Sequence, residues 1–133
     1  MLLIRSDEEA LTVKSPIIED SKILDLTLYE LGNGVWKESE LIKSLNVDEI
    51  DNLANSMSLV LGSLEKLSVT PSEFSRVLTI AKSERKTFYD SSYIYVAKRE
   101  KMTFVTEDQR LSRIARRYVQ TVSIRDVITK RKT

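Results

Sequence analysis

Apolar positions along this chain follow two rhythms. Ile50, Leu53, Met57, Val60, Leu64 and Leu67 recur at steps of three and four residues, which predicts an amphipathic helix. Phe74, Val77, Leu78 and Ala81 predict another, Tyr89, Tyr93, Val96 and Ala97 a third, and Leu111, Ile114, Ala115 and Tyr118 a fourth. Between some of these stripes lie short continuous apolar runs, Ile23 to Leu26, Met102 to Val105 and Val119 to Ile124. Each is bounded by charged or turn residues, the pattern of strands buried in β–α units. Helix starts are marked by a Ser, Thr or Asn with an acid or amide three residues on: Ser6/Glu9, Thr27/Glu30, Asn46/Glu49, Thr70/Glu73 and Thr106/Gln109. Pro71 at a first helical position strengthens the fourth, and Thr87/Asp90 is a weaker copy. The expected architecture is a layered α/β domain with many helices and a small parallel sheet.

Length and composition narrow the function classes. At 133 residues the chain suits one domain, and 3 Gly with 2 Pro leave no linker, repeat or low-complexity segment. The 41% hydrophobic content supports a buried core. The apolar runs are too short to span a bilayer, and Met1 to Ile4 is too short for a signal peptide, so the expectation is a cytoplasmic protein without a membrane segment. Cys and His are both absent. That excludes Cys/His zinc sites, catalytic triads, thiol nucleophiles and histidine acid–base chemistry. An enzyme built from this chain must use carboxylates, hydroxyls, Lys or a hard metal ion.

The net charge of +1 conceals an asymmetry. Residues 1–81 carry 7 Lys+Arg against 14 Asp+Glu, a net of −7, and residues 82–133 carry 14 against 6, a net of +8. Either a nucleic-acid face lies beside an acidic pocket, or the two halves pair their charges on folding.

Ligands of open α/β sheets collect beyond the carboxyl ends of the strands. Glu30 follows the strand Ile23–Leu26, Asp108 follows Met102–Val105, and Asp90 opens the helix that begins near Phe88. Three carboxylates at three helix starts are an oxygen-ligand set for a hard divalent cation. Acids are equally favoured there by the helix dipole, at about 0.3–1 kcal/mol each. Both readings stand on the residues alone.

Three segments in order bring a family into view. Leu28 to Glu38, LYELGNGVWKE, resembles the YEvgNalWK helix of PIN-domain proteins, especially the archaeal VapC-like group. Tyr89 to Ala97, YDSSYIYVA, resembles the family's YDAsYlalA segment, and Phe104 to Leu111, FVTEDQRL, resembles its LvTaDxxL segment. A helical insertion, 46–85, separates the first from the second. The resemblance implies a single PIN-like domain over 1–133, a three-layer α/β/α sandwich with a small parallel sheet. It implies a Mg²⁺- or Mn²⁺-dependent endoribonuclease, the toxin of a VapBC-type toxin–antitoxin pair, with an RNA substrate, a VapB-like antitoxin and a homodimer. The family's acidic cluster carries over to Glu30, Asp90 and Asp108 as catalytic metal ligands, with Asn33 and Thr106 in support. One departure matters. PIN domains open with a strand ending in Asp, whereas this chain has Met1-Leu2-Leu3-Ile4-Arg5-Ser6-Asp7, and Asp7 also suits a helix capped by Ser6. The expectation is a first strand missing or altered, with impaired activity. An in-frame strand ending in Asp upstream of Met1 would mark a mis-set start. The rival readings are a catalytically inactive PIN-like binding module acting through protein or RNA partners, and an unrelated α/β domain whose acids only cap helices.

Arg110, Arg113 and Arg117 share a helical face at i, i+3, i+7 spacing, with Arg116 beside it. Either this face contacts RNA phosphates, or it is solvated and pairs with the acidic half. Lys130 to Lys132 reads as a frayed tail. Trp36, Tyr89, Tyr93 and Tyr95 suit core or interface packing.

Overall fold

A computed structural model of the protein describes residues 2–5 and 21–127. In chain order it has β1 (Leu2–Arg5), β2 (Ser21–Leu24), α1 (Asp25–Trp36), a π-helical turn (Lys37–Ile42), α2 (Val47–Ser63) and β3 (Glu65–Leu67). A 3₁₀ turn (Pro71–Glu73), α3 (Phe74–Glu84), α4 (Phe88–Arg99), β4 (Met102–Val105), α5 (Gln109–Ala115) and β5 (Thr121–Val122) follow. The Ser6/Glu9 pair, Asp7 and Lys130 to Lys132 lie outside the described residues. No described helix is long and apolar enough to cross a membrane.

The five strands form one sheet in the order β3-β2-β1-β4-β5. The β2/β3 and β4/β5 pairs are parallel, as expected of a small parallel sheet, although β2 ends at Leu24, β5 keeps only Thr121–Val122, and β3 was not expected as a strand. β1 is antiparallel to both of its neighbours, with Leu3 opposite Lys22 and Leu2 opposite Val105. The altered first strand therefore sits at the centre of the sheet, in reverse. Its start lies beside the carboxyl end of β4, while Arg5 lies opposite Met102 at the other end.

Several boundaries move for physical reasons. The stripe from Ile50 to Leu67 stops being helical at Ser63, because Glu65 to Leu67 pairs with the edge of β2. A Lys22 to Glu65 ion pair of 3.1 Å spans that pairing. Thr27 does not cap a helix. α1 already begins at Asp25, and Thr27 is buried within it. At Asn46 and Thr87 the expected caps form, accepting from the amides of Glu49 and Asp90. Thr70 donates its amide and its hydroxyl to Glu73, which also receives Tyr95 OH and Arg99 Nη1. These donors, the Thr70 amide foremost, hold the Glu73 carboxyl at about 2.

The core gathers on α4. Tyr93, Ile94, Val96 and Ala97 are almost wholly buried against Leu3, Leu24, Phe104 and Leu111, and the Tyr93 and Phe104 rings stack 6.0 Å apart. Each large side chain so buried contributes about 1.5–3 kcal/mol. α2 is the opposite case and buries none of its residues.

Ser91 Oγ is the one fully buried side-chain polar atom without a hydrogen-bond partner among the described residues. An unmet buried hydroxyl costs roughly 1–3 kcal/mol. We expect Ser91→Ala to raise the urea midpoint, corresponding to about 1 kcal/mol. A lower midpoint would show that the hydroxyl finds a partner in solution.

Candidate active site

Two helices face each other through pairs spaced by three residues. α1 presents Thr27 and Glu30, and α4 presents Asp90 and Tyr93. The Tyr93 hydroxyl donates to Glu30 Oε1 at 3.1 Å and lies 2.8 Å from Thr27 Oγ1. Because the phenol's single proton goes to the carboxylate, Thr27 donates to Tyr93. Burial foremost, with the Glu30 charge adding to it, pushes the Tyr93 phenol well above its ordinary range. Tyr93 is therefore a neutral donor that holds Glu30 in place.

Asp90 is half-buried one turn before Tyr93. Burial raises its carboxyl above the ordinary range, Lys86 opposes the rise, and the Asp108 charge adds to it. Asp108 is itself the N-cap of α5, its Oδ1 accepting the Leu111 amide at 3.0 Å. Thr106, buried at the end of β4, accepts the Asp108 amide at 3.1 Å and so orients the residue. The cap predicted at Thr106 thus falls two residues later, because a carboxylate reaches the helix amides from there. Asn33 is exposed one turn beyond Glu30.

The structure brings Glu30 to Tyr93, and Asp90 into electrostatic range of Asp108. Among the described residues no three acids are gathered closely enough to form a metal cluster. The donor chemistry still fits a hard divalent ion. All donors are carboxylate oxygens, and Asp90, raised chiefly by its burial and to a lesser degree by the Asp108 charge, is a carboxylate that a bound cation would stabilise. β1 adds none, since Leu2 to Arg5 contains no acid.

The basic face divides. Arg117 is taken by Glu84, 2.8 Å away, and the Tyr118 hydroxyl donates to the same carboxylate. Arg113 lines a polar pocket with Arg116, the residue that had only flanked the predicted face. Arg110 is exposed outside that pocket. Tyr93 was legible only as a core residue; the signal for its further role was its spacing of three from Asp90. Tyr95 is half-buried, while Trp36 and Tyr89 are exposed rather than packed in the core.

Comparison with known proteins fits this arrangement. The PIN domain family model matches residues 2–117, and the chain belongs to that family. It is similar to the protein named Exonuclease VapC9 of Pyrobaculum aerophilum, 40% identical over 95 residues. That match covers 70% of this chain and 65% of the relative, a little under two thirds of its length. The crystal structure of PAE2754, also from Pyrobaculum aerophilum, superposes with a TM-score of 0.69 at 32% identity, over 82% of this chain and 70% of that one. The α/β fold, mostly helical with parallel strand pairs, is thus that of a PIN-type, VapC-like protein.

Coupling between Asp90 and Asp108 is open to direct measurement. Asp108→Asn keeps an oxygen for the Leu111 amide and removes the charge. We expect the carboxyl ¹³C titration of Asp90 to move to lower pH in that variant. An unmoved midpoint would show that the two carboxylates do not interact.

Proposed function

We propose that this protein is a divalent-metal-dependent ribonuclease of VapC type, the toxin partner of a small antitoxin. The observation that carries the reading is the hydrogen bond from Tyr93 on α4 to Glu30 on α1, with Asp90 one turn before Tyr93 and within electrostatic range of Asp108. Membership of the PIN family supports it, as does likeness to a relative named an exonuclease.

Glu30, Asp90 and Asp108 would hold Mg²⁺ or Mn²⁺ through their carboxylate oxygens. Such an ion supplies a water of lowered pKa and positive charge against the phosphate. Tyr93 keeps one Glu30 oxygen engaged and turns the carboxylate toward α4. Thr106 orients Asp108 through its amide, and Asn33 stands one turn from Glu30 with an amide for a water or a carboxylate. Arg110, Arg113 and Arg117 offer cations to the RNA backbone, although Arg117 must first leave Glu84. β1 brings no acid, so the described residues offer three, and three carboxylates hold a cation more weakly than four. Cleavage by residues 1–133 is therefore expected to be slow. The inactive binding module is the rival reading, favoured by that same missing acid.

Calorimetric titration with Mn²⁺ tests the site. Binding by the wild-type chain that is lost or weakened about tenfold or more in Asp90→Asn supports it; no binding, or equal binding by both, overturns it. Metal-dependent cutting of a circular RNA would mark the endonuclease mode that the sequence suggests. Trimming of linear RNA alone would match the mode in the relative's name.

A homodimer is also proposed. Leu59, 79% exposed, and Val60 and Leu53 lie on α2, which has no fully buried residue within the chain. A VapB-like antitoxin, its charged tail reaching the acidic end, is the second expected partner, tested by co-purification with the product of an adjacent small reading frame. Light scattering at micromolar concentration should give twice the chain mass, and Leu59→Lys should shift it toward the monomer. A monomeric wild type would overturn the dimer.

A further inference from the structure

A polar pocket of about 340 Å³ opens past the carboxyl ends of β4 and β5, next to Asp108 in the chain. Thr106, Gln109, Ser112, Arg113, Arg116 and Ser123 line it. Four of these fall at i, i+3, i+4 and i+7, so a single face of α5 and its C-cap supplies Gln109, Ser112, Arg113 and Arg116. Both arginines are exposed, and no ion pair involves either among the described residues. Two carboxylates also border the pocket, and both are tied to the main chain. Glu107 Oε1 accepts the Ile124 amide at 2.7 Å, and Asp126 Oδ2 accepts the Ser123 amide at 3.0 Å. They pin the turn at 123–127 against the start of α5. Two guanidiniums, an amide and hydroxyls thus stand in the pocket beside two exposed carboxylates, each with one oxygen engaged by a main-chain amide.

Such a lining suits one polar, singly charged unit carrying both donors and acceptors. The volume lies at the small end of the roughly 300–1,000 Å³ of ligand sites. Guanidiniums match phosphate oxygens in a fixed fork, which a single ammonium does not. Amide and hydroxyl groups read the edges of unstacked bases in single-stranded RNA. We propose that this pocket holds one nucleotide of a single-stranded RNA substrate beside the bond that is cut. Arg113 and Arg116 take its phosphate, and Gln109 with Ser112 hydrogen-bonds its base. The assignment rests on the nuclease reading above and deepens it, by naming where substrate sequence is read. It also separates the arginines: Arg113 and Arg116 work together in the pocket, whereas Arg117 reaches RNA only by leaving Glu84 on α3.

The test is metal-free RNA binding. Fluorescence anisotropy in EDTA, over a series of salt concentrations, uses 12-residue single strands of A, C, G or U. Arg113→Ala/Arg116→Ala should weaken binding at least tenfold and make the log–log salt slope shallower by about 0.7, the loss of one phosphate contact. Gln109→Ala should shrink the preference among the four strands without changing that slope. Lys98→Ala, at the far end of α4, should bind as the wild type does. An unchanged slope in the double variant overturns the phosphate assignment, and equal wild-type affinity for all four strands overturns the base reading. Metal-dependent cleavage is assayed alongside. A chain that neither binds nor cuts RNA overturns the nuclease reading and the pocket with it. A chain that cuts RNA while the double variant binds unchanged overturns the pocket alone.

Discussion

The two parallel strand pairs of this sheet do not touch each other; β1 joins them. Its main-chain groups pair with β2 on one side and β4 on the other, and buried Leu3 fills the space between. A central strand with no partner would leave two rows of unmet N–H and C=O groups inside the protein, a cost that no side-chain contact offsets. Four apolar-to-basic residues, Leu2 to Arg5, therefore hold the architecture together. Their direction has a chemical consequence. Because the strand runs against its neighbours, Leu2 lies opposite Val105 at the carboxyl end of β4, and none of Leu2 to Arg5 is an acid.

Among the described residues the acids proposed to bind metal lie on α1, on α4 and at the cap of α5, and α4 carries both Asp90 and the Tyr93 that holds Glu30. Its apolar residues are locked in the core, so Asp90 and Tyr93 have no freedom to turn away. Tyr93 spans both roles, its ring against Phe104 and its hydroxyl between Thr27 and Glu30. Packing energy is thereby converted into placement of a charged group. The carboxylate that pays in solvation is Asp90, half-buried and facing the charge of Asp108, with Lys86 as partial relief. Burying a carboxylate in this way costs folding energy, which Lys86 offsets in part.

Much of this was legible in the chain. The caps at Asn46 and Thr87 formed where a hydroxyl or amide preceded an acid by three residues, since capping is a local contact. β4 matched its apolar run residue for residue. The three acids were named from motif order; in the fold Glu30 lies on α1, Asp90 on α4 and Asp108 at the cap of α5. Thr27 was misread, because a buried threonine inside a first turn looks in sequence like a cap. Leu67 was misread because a strand of three residues has too few positions to break a helical rhythm.

Local chemistry determined most segments: apolar periods marked α3 and α4, an apolar run marked β4, and the absence of His and Cys left carboxylates, hydroxyls, Lys or a hard metal for any reaction. Long-range contact decided the rest. The reversal of β1 depends on pairing with strands roughly 20 and 100 positions away, with no signature in four residues. The partner of Arg117 is a carboxylate 33 positions earlier, and that of Tyr93 lies 63 positions earlier. Whether an arginine faces RNA or a neighbouring helix is settled by what packs opposite it, and only the folded chain brings that residue near.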